Sequence, residues 1–70
     1  MFRVMCVIPA GAVGTEFEVS QHKSKAAAFR KMHSLNRNRT VKDYYYQVED
    51  EDYNVVIEVK TKRNGRWVIV

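Results

Sequence analysis

Cys6 and the two histidines, His22 and His33, are the residue types from which a nucleophile and its base are made. A catalytic thiol needs an exposed, electropositive place. Cys6 falls instead on the apolar side of an alternating run, where cysteine packs as a small hydrophobe. An inert thiol is expected. Glu49, Asp50, Glu51 and Asp52 are four consecutive acids, of the type that binds calcium. Calcium loops space their ligands at alternate positions and bend at a glycine, and this run does neither. It reads as a solvated turn. Asp43 forms no recognisable acid/base pair with a tyrosine or histidine, and the chain has no glycine-rich phosphate loop and no nucleophile elbow. No enzyme, metal or cofactor is expected, which leaves binding.

The residues suited to binding are the bases. The net charge is +4 and the pI is near 9.5. Seven of the twelve bases lie from Lys23 to Lys42, and four more from Lys60 to Arg66. Arg30, Lys31 and Arg37 form a ridge on one side of a helix, followed by Arg39. Lys60, Lys62, Arg63 and Arg66 gather at a hairpin. Bases segregated in this way favour an acidic partner. A β-ribbon of lysine and arginine can grip phosphates, and Tyr44 and Tyr45 can add stacking. No RRM, zinc-finger or KH signature accompanies them. The expected partner is a host protein or ribonucleoprotein complex, or nucleic acid contacted directly.

These bases must be held by one small domain spanning 1–70, since seventy residues bury a single modest core. Residues 2–8 alternate as a strand, with Phe2, Val4, Cys6 and Ile8 on one face. Pro9, Gly11 and Gly14 interrupt any ladder, so 9–14 reads as a loop. Residues 15–20 alternate again, with Phe17 and Val19 inward. A helix over 24–36 follows, with Ser24 as N-cap and Ala28, Phe29, Met32 and Leu35 in one arc. Strands over 44–48, 54–60 and 66–70 complete a β-β-α-β-β-β order. The fold class is α+β: one antiparallel sheet of about five strands with one helix on one face.

Asn64-Gly65 invites a two-residue type I′ turn. That register sets Trp67 and Ile69 beside Lys62 and Lys60 and splits the apolar face. A three-residue loop, Arg63-Asn64-Gly65, collects Val55, Ile57, Val59, Trp67 and Ile69 on one face, so burial favours it. The expected core is Phe2, Val4, Cys6, Ile8, Phe17, Val19, Phe29, Met32, Leu35, Tyr46, Ile57, Val59, Trp67 and Ile69. Met5, Val7, Tyr45, Val56, Val68 and Val70 then lie on an uncovered face, more apolar than solvation requires, which makes either a monomer or a homodimer compatible with the pattern.

One cysteine makes no internal disulfide, which points to a reducing, cytoplasmic setting, that of the host cell if the protein is viral. The longest apolar run, from Val4 to Val13, is too short to cross a bilayer and carries no targeting pattern, so no membrane partner is expected.

The segments Glu16-Phe17-Glu18-Val19, Ser24-Lys25-Ala26-Ala27 and Asn64-Gly65-Arg66-Trp67-Val68 follow one another in an order that resembles a small phage anti-CRISPR family. That family inhibits type I-F surveillance complexes. The likeness spans most of the chain as topology plus a few common residues. It implies a protein of phage or mobile-element origin that inhibits a host nucleic-acid-handling complex by stoichiometric binding. The readings beside it are a small DNA- or RNA-binding protein and an assembly subunit acting through its open sheet face.

Overall fold

A computed structural model describes residues 1–9, 14–40 and 43–70. Positions 10–13 of the expected loop, and Lys42 of the basic run, lie outside the described residues. The elements follow the expected order: β1 (Phe2–Ile8), β2 (Thr15–His22), α1 (Lys25–Asn38), β3 (Tyr45–Glu49), β4 (Lys60–Arg63) and β5 (Arg66–Ile69). They form two sheets where one was expected. The larger has the order β2-β1-β3, and β4 pairs with β5 in a separate ribbon.

Strand β1 is the axis of the larger sheet, antiparallel to both neighbours. Its alternation sends Val4 toward the helix, where it joins Ala28, Phe29 and Val48 in the buried core. Phe2, Met32, Leu35, Tyr46, Val56 and Ile69 pack around that cluster. Ala28 belongs to the expected apolar arc, Val48 was not in the expected core, and Val56, expected on the uncovered face, packs into the core instead; Met5, expected on that same face, is buried. Cys6 is buried as expected.

Helix α1 begins as its sequence dictates. Ser24 is extended, and its hydroxyl accepts from the Ala27 amide at 3.1 Å, satisfying one of the free donors of the first turn. The helix runs two residues beyond the expected end, to Asn38. Arg39 then turns extended and its guanidinium donates to the Tyr44 carbonyl.

Strand β2 departs from expectation. Its pairing with β1 slips between Val4 and Met5, so Val4 faces Ser20 and Met5 faces Glu18. Val19 is the extra residue of a bulge, and Ser20 takes the inward place. Phe17 pairs with Cys6 on the helix side of the sheet, but at the edge strand the helix covers least. Phe17 and Val19 are therefore exposed, not core.

The split of the sheet has a specific cause. After β3 the chain turns through Asp50 to Tyr53. The Asp50 carboxylate accepts from the amides of Asp52 at 2.9 Å and Asn54 at 3.0 Å, and Tyr53 takes a left-handed φ of 63°. The returning chain bridges Val55 to Glu49, and the Val56 amide donates to the Val48 carbonyl at 2.8 Å. Continued, that register pairs Glu58 with Tyr46. The Asn36 side chain holds that place. Its amide donates to the Tyr46 carbonyl at 3.1 Å, and its oxygen accepts from the Tyr46 amide at 2.9 Å. A helix side chain thus stands in for a strand, and the ladder stops.

The same register overturns the expected face of residues 54–60. Val55 lies opposite Glu49, on the side of the sheet away from the helix, while Val56 packs into the core. By alternation Ile57 and Val59 follow Val55 outward; the three are 58%, 79% and 53% exposed. A one-residue shift moves every side chain to the other face. The final hairpin keeps this register with the two-residue turn, pairing Lys62 with Trp67 and Lys60 with Ile69. Asn64 and Gly65 have φ of 51° and 78°, as a type I′ turn requires. The three-residue loop is not formed, and Trp67 is exposed where the core was expected. Ile57, Val59 and Trp67 leave the expected core; Ile69 stays with it.

Replacing Asn36 with alanine removes both bonds to Tyr46. A stability loss of about 1–3 kcal/mol is expected in urea titration. A change below about 0.5 kcal/mol would show that Tyr46 readily finds another partner.

Candidate functional site

The outward step of residues 54–60 leaves a groove between α1 and the β4–β5 ribbon. Its helical wall is Ala26, Arg30, His33 and Arg37, a spacing of four, three and four residues that keeps them on one stripe. The ribbon wall holds Glu58, Lys60, Trp67 and Ile69. The space is about 410 Å³, within the range of ligand-holding clefts.

Each wall follows from a local rule. The apolar arc of α1 turns Ala28, Phe29, Met32 and Leu35 to the core, which leaves Arg30, His33 and Arg37 on the flank beside the ribbon. In the ribbon, cross-strand partners share a face, so Lys60 and Ile69, then Lys62 and Trp67, look the same way. Ile69 reaches the core. Trp67, one pair further out, is 66% exposed. The Lys62 ammonium lies 5.5 Å from the centre of its ring, a cation–π contact worth about 0.5–1 kcal/mol at an exposed site.

Glu58 is the acid within the groove. Its carboxylate meets His33 Nε2 at 2.7 Å and the Lys60 ammonium at 3.7 Å. It ties helix to ribbon and offsets part of the positive field. Among the described residues, Arg30 and Arg37 make no salt bridge. They are exposed cations on the helix flank with no ionic partner among the described residues.

The two basic groups read from the sequence meet only in part. Arg30 and Arg37 from the helix face Lys60 from the ribbon across one groove, with Lys62 above the indole. Lys31 is exposed elsewhere on the helix. Arg39 serves the loop through its bond to Tyr44. Arg63 and Arg66 pair across the ribbon tip, and alternation turns them from the groove. His33, Glu58 and Trp67 are groove residues that the sequence reading did not find. The helical stripe of residues 26, 30, 33 and 37 was a usable signal for His33. Trp67 was hidden by placing the indole in the core.

The other chemistry-bearing residues are otherwise engaged. Cys6 is 3% exposed. His22 bonds the Ser20 hydroxyl at 2.8 Å. In the acidic turn, Asp50 closes the backbone, and the N-terminal ammonium holds the Glu51 carboxyl below the usual carboxylate range by hydrogen bond and charge. Among the described residues no three His, Cys, Asp or Glu side chains are placed to hold a metal ion. No described helix is long and apolar enough to cross a membrane. Burial raises the Tyr46 phenol above its ordinary value, helped by Cys6 and Tyr44. Tyr44 meets Tyr46 edge-on at 5.7 Å, so it is a packing residue before it is a stacking one.

Comparison with family models, curated proteins and solved structures gives no match for this chain.

Phe29 and Trp67 separate core from site. Phe29→Ala is expected to cost about 3–5 kcal/mol and unfold a domain of this size. Trp67→Ala should cost less than about 1 kcal/mol. Thermal unfolding followed by circular dichroism distinguishes them; a Trp67→Ala chain as unstable as Phe29→Ala would put the indole back in the core.

Proposed function

We propose that the protein is a small non-catalytic binding protein whose groove grips a polyanionic surface of a host nucleic-acid-handling complex and inhibits it by stoichiometric binding. The observation that carries this reading is the convergence of Arg30, Arg37 and Lys60 on one open groove with an exposed indole. The planar arginine fork is pre-organised, so less freedom is lost per hydrogen bond formed with an anion, and it suits phosphate and carboxylate alike. The resemblance to the anti-CRISPR family supports a surveillance complex as the target class. A phage or mobile-element origin and action in the host cytoplasm belong to the same reading.

The exposed Trp67 favours a second reading, direct binding of single-stranded DNA or RNA. Bases stack on an open aromatic ring while flanking cations follow the backbone.

One set of titrations separates the two. Inhibition of target-DNA capture by a purified type I-F surveillance complex, complete near one equivalent, is the outcome expected of the first reading. Tight binding to a naked single-stranded oligonucleotide with a steep salt dependence, and no effect on the complex, is the outcome expected of the second. Under either, Arg30→Glu/Arg37→Glu should keep the fold and weaken binding at least about tenfold, roughly 1.4 kcal/mol. Neutralising Asp52, remote from the groove, should leave binding unchanged. Full binding by the double arginine variant would remove the groove from the proposal.

A further inference from the structure

The side of the sheet turned away from α1 carries a second pattern of exposed side chains, apart from the groove. Glu16, Val7 and Tyr45 form one cross-strand row on it. Val55 joins this side through its bridge to Glu49, and Ile57, Val59 and Val70 follow by alternation and by the Val70–Val59 hydrogen bond at 2.9 Å. Tyr45, Val55, Ile57, Val59 and Val70 are all more than 40% exposed. Val55, Ile57, Val59 and Val70 lie along one side of the returning chain, with Tyr45 exposed on the same side of the larger sheet, more than scattered surface residues.

Charge brackets this apolar centre. At the β2 edge stand Glu16 and Glu18. Glu18 is held by Arg3 at 3.0 Å, while Glu16 makes no salt bridge among the described residues. At the ribbon tip stand Arg63 and Arg66, directly opposite one another across the hairpin. Like charges in that position repel and destabilise the ribbon, and the repulsion is relieved when an anion sits between them. The face therefore runs from acid through aliphatic to base.

We propose that this face is a homodimer interface in which a second copy packs with a two-fold axis through the aliphatic centre. A face of this pattern is complementary to itself. Rotation about that axis lays each Glu16 edge on the partner copy's arginine tip, twice per dimer, and covers both aliphatic centres. The groove lies on the opposite side of the ribbon, so a dimer carries two grooves facing outward. The inference does not depend on what the groove binds.

Sedimentation velocity of the intact chain tests it, from about 1 μM to about 200 μM at low salt. The chain should shift from monomer to dimer across that range. Ile57→Lys should weaken association at least tenfold with the far-ultraviolet spectrum unchanged; Val59→Lys is the second variant if the first loses its fold. Charge supplies an independent check. Arg63→Glu/Arg66→Glu alone and Glu16→Arg alone should each be monomeric, and mixed together they should associate. A chain that stays monomeric throughout, a dimer indifferent to both lysine variants, or charge variants that fail to associate on mixing would each overturn the proposal. A dimer that survives Arg30→Glu/Arg37→Glu keeps this interface distinct from the groove.

Discussion

The backbone of Tyr46 has one free side, and Asn36 takes it. Two hydrogen bonds from a single carboxamide occupy the donor and acceptor that Glu58 would use in a continuous sheet. The split of the sheet and the groove beside the helix follow from that substitution of a side chain for a strand. The helix is pinned against β3. The chain leaves the ladder after Val56 and re-enters pairing only at Val59 and Lys60. The ribbon hangs from those few bonds at an offset from the helix, and the offset is the groove.

The register that begins at the Asp50 turn then distributes the side chains. Val56 goes in; Glu58 and Lys60 line the groove; Val55, Ile57 and Val59 go to solvent on the far side. Each choice is forced by the one before it, because a strand offers only two faces. The exposed aliphatics and the exposed indole are thus not failures of packing. They are the two outward products of one register, an apolar sheet face and a cationic groove with an aromatic rim. Glu58 links them mechanically, since its bond to His33 ties ribbon to helix.

Much of this was legible from residues whose local chemistry and burial agree. Ser24, the alanines and the Phe29-Met32-Leu35 arc announced the helix, and the alternation of residues 2–8 announced β1. The element order followed. Legibility failed where two local signals disagreed. Asn64-Gly65 asked for a two-residue turn while Trp67, Ile57 and Val59 asked for burial, and preferring burial chose the wrong face. The deciding contacts were Glu49–Val55 and Val48–Val56, set by the Asp50 turn that precedes them. The Val19 bulge left no mark in an alternating run. Nor does an asparagine near a helix end advertise that it will close a sheet. Arg30, Arg37 and Lys60 were found as bases, but the groove that unites them appears only once the ribbon's register is known.

The single tryptophan reports on that register directly. Its fluorescence, quenched separately by iodide and by caesium, reads both exposure and local charge. With Trp67 at the groove rim beside Lys62, Lys60 and Arg30, emission should resemble indole in water, and iodide should quench it several times more strongly than caesium. Blue-shifted emission that resists both ions would mean that Trp67 lies in the core, in the three-residue-loop register, and would contradict the groove itself.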